Sequence, residues 1–262
     1  YSQAPIMEVK ALSKTYTDKG FFGKGTEVKA LNKVSLELFK GESLGIVGES
    51  GCGKSTLSKC LVQLEKQNEG SILYKGTNIK ELLSSAPLSY RKKVQMIFQD
   101  PASALNPKMR VGAILIEAMK VHRLGNNRAE HMEKAVELLE KVGLKAEHFN
   151  RYPHEFSGGQ KQRIGIARAL ALEPEIIICD ESVSALDVSV QAQVLNLLNE
   201  LKERFSLSYI FISHDLSVVK HFCDRIVVLN QGCIEETGFP EDLFDKAKSD
   251  YTRKLIEAIP GK

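Results

Sequence analysis

Nine consecutive residues, Gly48-Glu49-Ser50-Gly51-Cys52-Gly53-Lys54-Ser55-Thr56, carry the chemistry of polyphosphate binding. They fit the pattern Gly-x-x-x-x-Gly-Lys-Ser/Thr, in which glycines let the backbone wrap with its N–H groups turned inward. A helix that starts just after such a loop adds partial positive charge toward the same anion. Lys54 can then reach the terminal phosphates, and the Ser55 hydroxyl can ligate Mg²⁺. The expected ligand is a nucleoside triphosphate such as ATP, with Mg²⁺.

The loop needs a strand before it and a helix after it. Ser43–Val47 reads as a buried strand and Thr56–Val62 as the opening of a helix. Three more apolar strands end in polar groups: Val94–Phe98 before Gln99, Glu175–Cys179 before Asp180-Glu181, and Ser208–Ile212 before Ser213-His214-Asp215. Ligands of open parallel sheets bind beyond the carboxyl ends of the strands, so these groups are expected on one edge around the phosphates. Asp180 suits Mg²⁺ ligation, direct or through water. Successive strand side chains point opposite ways, so Asp180 is expected to face the metal and Glu181 a water in line with the terminal phosphate. Glu181 is then the general base or water-orienting residue. Gln99 offers an uncharged amide to Mg²⁺ or the attacking water, and His214 can donate to the terminal phosphate.

A second anion cradle lies a hundred residues on. In Phe156-Ser157-Gly158-Gly159-Gln160-Lys161-Gln162-Arg163, Ser157 can N-cap the helical run after it, and paired glycines admit a ligand close to the backbone. The first loop already surrounds one side of a triphosphate. The second must therefore serve another ligand, or the open side of a nucleotide held by another subunit.

The remaining pattern sets the frame. Ile6–Leu12, Val28–Leu31 and Val34–Leu38 alternate with period two, which suits antiparallel strands with one wet face. Between them, Thr17–Thr26 reads as a loop carrying Phe21-Phe22. A short strand pair is expected around Gly70–Tyr74. Helical periodicity occupies Val111–Leu124 and Arg128–Val142, so a helical lobe is read as inserted between strands. Helices over Val190–Phe205, Leu216–Phe222, Pro240–Phe244 and Tyr251–Ala258, and a hairpin of Arg225–Asn230 with Cys233–Glu236, complete an α/β chain. The expected fold is a P-loop core with a mostly parallel sheet. It forms one domain over 1–262, with 5–47 as an antiparallel β subdomain and about 103–172 as a helical subdomain.

Bulk composition narrows the class without naming a ligand. The chain has 262 residues, 43% apolar and 26% charged, with a net charge of +3. The charges are interspersed, which gives no ground for nucleic acid as a partner. No apolar run approaches the roughly 18 residues of a membrane span and no signal peptide is seen, so spanning helices would come from other subunits. Cys52, Cys60, Cys179, Cys223 and Cys233 show no C-x-x-C spacing, so a reducing compartment is expected, with neither disulfide framework nor zinc site.

Phe156-Ser157-Gly158-Gly159-Gln160 resembles the signature sequence of ABC-type ATPases, and the other motifs of that family stand around it in the family's order. Tyr16 falls at the adenine-stacking aromatic position and 48–56 at the phosphate loop. Gln99 matches the Q-loop, Ile176–Glu181 the strand that ends in metal and base, Ser184-Ala185-Leu186-Asp187 the D-loop, and His214 the switch histidine. Gln99-Asp100-Pro101 through Pro107, Arg151–Phe156 and Ser184–Gln193 are similar to the ATPases of oligopeptide, dipeptide and nickel importers. The Phe21-Phe22-Gly23 loop and the ending Tyr251-Thr252-Arg253…Pro260 point to the second of the two ATPases such systems often use.

The resemblance implies a head-to-tail sandwich of two ATPases, in which Ser157, Gly158, Gly159, Gln160 and Asp187 address the partner's ATP. It implies two transmembrane permease subunits, indirectly a substrate-binding protein, and residence on the cytoplasmic face of the membrane. Two departures stand out. Ser182 occupies a position where most relatives have proline, and only a local backbone change is expected. No cysteine-bearing tail precedes Lys262, so no iron–sulfur cluster is expected. An efflux cassette, or a non-transport ABC ATPase acting on DNA or ribosomes, remains as an alternative.

Overall fold

The computed structural model of the chain describes residues 4–18 and 26–259. The Phe21-Phe22-Gly23 loop and Pro260 lie outside them. In chain order the elements are β1 (Met7–Asp18), β2 (Thr26–Leu38), β3 (Ser43–Val47), α1 (Lys54–Leu61), β4 (Glu69–Tyr74), β5 (Thr77–Asn78), α2 (Ile79–Ser85) and α3 (Pro87–Lys93). Next come β6 (Val94–Ile97), α4 (Pro101–Ala104), α5 (Val111–Val121), α6 (Arg128–Lys141), α7 (Gly158–Leu170), β7 (Ile176–Asp180) and α8 (Val188–Phe205). The chain ends with β8 (Ser208–Ile212), α9 (Leu216–Phe222), β9 (Arg225–Asn230), β10 (Cys233–Gly238), α10 (Pro240–Lys246) and α11 (Asp250–Glu257). These elements group into two compact units, one of residues 1–87 with 208–262, the other of 88–207.

In the first unit, β2, β1, β4 and β5 form an antiparallel sheet in that order. The interrupted alternation of residues 5–40 has a specific cause. Two long strands replace the three short segments expected, and bulges break their period. Ala11 (φ 46°) and Lys33 (φ 51°) take left-handed conformations beside shifts of register. The N–H groups at both positions donate across the pair, Ala11 to Ser35 Oγ at 2.8 Å and Lys33 to Ser13 Oγ at 3.0 Å. A bulge inserts a residue and flips the facing of the residues after it, which erases a strict period of two.

The same unit holds the parallel core. Strand β3, buried throughout, lies parallel to both β8 and β9, and β10 turns back antiparallel on β9. Strands enclosed on both faces read as continuous apolar runs, as Ser208–Ile212 and Ile226–Leu229 do. Glu42 ties the entry of β3 to β9, since Arg225 Nε donates to its carboxylate at 2.8 Å while Phe39 N–H donates to the same group at 2.7 Å.

In the second unit β6 and β7 are parallel, with Ile97 opposite Cys179. Helices α5, α6 and α7 bury apolar faces that include Leu115, Leu139 and Ile166. Helices α2 and α3 were not legible as such in the sequence. Their signals are an Asn78 side chain that accepts from Lys80 N–H at 3.0 Å, and a proline at the first residue of α3. All five cysteines are unbridged and four are buried. Burial pushes the Cys60 thiol up to about 11 and the Cys179 thiol to about 12. Among the described residues no helix is long and apolar enough to cross a membrane.

Candidate functional site

The phosphate loop leaves β3 at Gly48 and enters α1 at Lys54. Its shape is dictated by close approach. A Cβ on Gly48 (φ 154°) would lie 2.1 Å from the Leu229 carbonyl oxygen, and one on Gly53 (φ 109°) would lie 2.4 Å from that of Ala30. Only glycine fits either place. Gly48→Ala is therefore expected to destabilise the fold by about 2–4 kcal/mol, read as a lowered denaturant midpoint. Strand β9 and the middle of β2 thus wall the loop, and Gly232 N–H pins it further by donating to the Cys52 carbonyl at 2.9 Å. Glu49, Ser50, Gly51 and Ser55 are exposed, Thr56 is half-buried and Cys52 is buried.

Lys54 is only 4% exposed. Its Nζ donates to the carbonyls of Gly48 at 2.7 Å and Glu49 at 2.8 Å, so the ammonium is folded into the loop it closes. An anion in the cradle can draw that ammonium away, because a charged phosphate oxygen is a stronger acceptor than a neutral carbonyl. Tyr16 pairs with Val28 on β2, two residues from the Ala30 carbonyl that abuts Gly53. Tyr16 is 38% exposed, and its ring carries Lys14 Nζ at 4.9 Å from the centroid.

His214 belongs to the same unit. Ile212 of β8 lies opposite Ile46 of β3, so the residues after β8 emerge beside the start of the phosphate loop. Ser213 N–H donates to the Ile46 carbonyl at 3.3 Å. Asp215 is committed to capping α9, accepting from Ser217 N–H at 2.9 Å, while His214 between them is exposed. Lys54, Ser55 and His214 are thereby gathered at one end of the parallel strands of the first unit.

The second unit gathers the carboxylates with Gln99. Because Ile97 faces Cys179, β6 and β7 release Phe98-Gln99 and Asp180-Glu181 at a common edge. Gln99 is exposed, Asp180 is the buried last residue of β7, and Glu181 is half-buried. The expected alternation does not govern this pair. Glu181 lies beyond the strand with φ 48°, and its carbonyl accepts from Ser184 N–H at 3.1 Å and Ser184 Oγ at 2.8 Å. A tight turn, not strand pleating, aims its carboxylate. Ser182, within that turn, is buried.

Ser157 caps α7 as the spacing predicts. Its Oγ accepts from Gln160 N–H at 3.3 Å, and Gln160 Oε1 accepts from Ser157 N–H at 3.0 Å, a reciprocal capping box. The two glycines differ in their surroundings within the chain. A Cβ on Gly159 would come within 2.3 Å of Val190 Cγ1, so this glycine permits packing of α7 against α8. On Gly158 the closest atom would be Leu186 Cδ2, at an ordinary 3.7 Å. Asp187 caps α8, which starts two residues earlier than the periodicity suggests. Its Oδ1 accepts from Val190 N–H at 3.0 Å and Ser189 Oγ at 2.8 Å, and these bonds hold its carboxyl below the usual range.

A family model described as ABC transporter matches residues 31–184. The oligopeptide transport ATP-binding protein OppF of Bacillus subtilis (strain 168) is 48% identical over 256 residues, covering 97% of this chain and 82% of that protein. The dipeptide transport ATP-binding protein DppF of Haemophilus influenzae is 47% identical, covering 98% of this chain and 78% of that protein. Among solved structures, the dimeric post-hydrolysis state of the ATP-binding cassette MJ0796, bound to ADP and Pi, aligns with a TM-score of 0.78 at 29% identity. It covers 89% of this chain and 98% of that one.

Proposed function

Because this chain belongs to the ABC transporter family, we propose that it is the ATP-hydrolysing subunit of an importer that moves peptides through separate membrane subunits. The observation that carries the ATP reading is the cradle itself, where glycines stand against the Leu229 and Ala30 carbonyls and Lys54 closes the loop. The peptide assignment rests on kinship with oligopeptide and dipeptide transport proteins at 47–48% identity.

Each residue then has a role in hydrolysis. The loop N–H groups and the N-terminus of α1 hold the phosphates, Lys54 turns from the loop carbonyls to the terminal phosphates, and Tyr16 stacks on the base. Ser55, Gln99 and Asp180 offer only oxygen donors, a set that suits Mg²⁺, which when bound neutralises charge on the phosphate oxygens. Glu181 takes or orients the proton of the attacking water as the bond from the terminal phosphorus to the leaving ADP oxygen breaks. His214 donates to the phosphoryl oxygens as charge spreads over them.

The α7 N-terminus, with Ser157, Gly158, Gly159 and Gln160, serves the nucleotide of a second ATPase in a head-to-tail pair, and Asp187 accompanies it. Gly158→Asp tests this. Within the chain the aspartate Cβ makes only an ordinary contact, 3.7 Å from Leu186 Cδ2, at the first residue of a helix, where negative charge is favourable by about 0.3–1 kcal/mol. Folding and nucleotide binding by the isolated chain should be unchanged, while ATPase activity of the assembled complex should fall about 10²-fold through repulsion of the partner's phosphates. Normal activity in the complex removes the signature from the site. For the transport reading, this chain should be recovered from native membranes with two membrane subunits, a second ATPase and a peptide-binding protein. Recovery with ribosomes or nucleic acid instead would leave the ATPase chemistry and overturn import.

A further inference from the structure

A contact between the phosphate loop and the end of the chain has no part in the roles above. The N–H of Glu49 donates to Tyr251 Oη at 3.1 Å, although the two residues are 202 apart in sequence. The N–H of Glu49 and the carbonyl of Gly48 are two ends of one peptide unit. Its carbonyl end accepts from Lys54 Nζ at 2.7 Å. Because the peptide group is planar, fixing its N–H also fixes where its carbonyl points. Tyr251 and Lys54 thus hold opposite ends of the same plate at the entrance of the cradle.

Tyr251 is itself held. It is the second residue of α11, which Ser249 caps by accepting from Tyr251 N–H at 3.1 Å. The Ser249 hydroxyl donates to the Glu235 carboxylate at 2.6 Å. The neighbouring Glu236 carboxylate accepts from the N–H groups of Lys248 at 2.9 Å and Ser249 at 3.1 Å. Both glutamates lie on β10, the strand whose hairpin already pins the loop through Gly232. The attachments close a ring: loop to hairpin, hairpin to α11, and α11 back to the loop.

We propose that Tyr251 is a positioning residue for nucleotide binding, keeping the Gly48–Glu49 peptide oriented when Lys54 leaves its carbonyl for the phosphates. In this structure that peptide has two holds, Lys54 Nζ on its carbonyl and Tyr251 Oη on its N–H. On binding ATP the ammonium moves to a stronger acceptor, and the carbonyl loses its donor. A peptide then free to rotate can turn its carbonyl oxygen toward the phosphates, which repel it. The Tyr251 hydroxyl opposes that rotation from the N–H end.

This inference rests on the reading that the loop takes ATP, and its test separates the two. ATP binding to the full chain is measured by calorimetry for the unsubstituted protein and for Tyr251→Phe, which keeps the ring and removes only the acceptor. Loss of one hydrogen bond to a backbone N–H should weaken ATP binding about 3- to 10-fold. In the assembled complex KM for ATP should rise by the same factor with kcat unchanged. Faster hydrogen exchange at the Glu49 amide, without faster exchange across α11, should accompany it. If the unsubstituted chain binds no ATP, the nucleotide reading fails. Equal affinities for both chains, or an affinity loss accompanied by general unprotection of α11, overturn the positioning role alone.

Discussion

Glu181→Gln is expected to leave ATP bound and its hydrolysis slowed about 10²- to 10⁴-fold, the usual worth of a positioned acid or base. Glutamine matches the shape of glutamate and can still hydrogen-bond, but it cannot accept the proton of the attacking water. The turn that aims the side chain is made by backbone and Ser184 contacts to the Glu181 carbonyl, which the substitution does not touch. Glu181 also adopts φ 48°, a left-handed conformation that costs an L-residue about 1–2 kcal/mol. Backbone strain of this kind persists where the surrounding fold imposes it, and it concentrates at working sites. A single-turnover assay with stoichiometric ATP, run beside an equilibrium binding measurement, reads both halves of the prediction. Turnover within a few-fold of normal would move the base elsewhere.

Lys54→Ala should abolish useful nucleotide affinity while the fold survives. Hydrogen bonds to charged groups contribute about 1.5–3 kcal/mol each, and an ammonium between two phosphates makes at least two. Part of that gain is offset, because Lys54 must first give up the Gly48 and Glu49 carbonyls. A net loss of about 10²-fold in ATP affinity is expected, with AMP much less affected because it lacks the phosphates the ammonium addresses. Binding of a fluorescent ATP analogue and of AMP, compared by titration, tests the difference. Equal weakening for both nucleotides would mean that Lys54 holds the loop together and does not contact the terminal phosphates.

The features that were legible in the sequence are local ones. A phosphate loop is a run of glycines, lysine and hydroxyl between a strand and a helix, and every part of that pattern fits within a short stretch of chain. The capping box at Ser157 and Gln160 joins residues one helical turn apart and forms as its spacing requires. Strand ends before Gln99, Asp180 and His214 could be marked because apolar runs stop abruptly there. Helix α3 has only Leu88 and Tyr90 as large apolar residues, too few to show a period, and in α2 Ile79, Leu82 and Leu83 give a single i, i+3, i+4 set that does not repeat.

What the chain order alone determined is which residue types stand at each strand end and helix start, since those signals depend on neighbours a few positions apart. Tertiary structure decided how they are aimed. The left-handed turn at Glu181 replaced strand alternation as the determinant of its direction. Gly48 is required by the carbonyl of Leu229, far along the chain, and Gly159 by Val190 on another helix. The Tyr251 hydroxyl reaches Glu49 across 202 positions. Such contacts join surfaces that only folding brings within a few ångströms, and steric exclusion or a single hydrogen bond at that range leaves no periodic trace in a one-dimensional string.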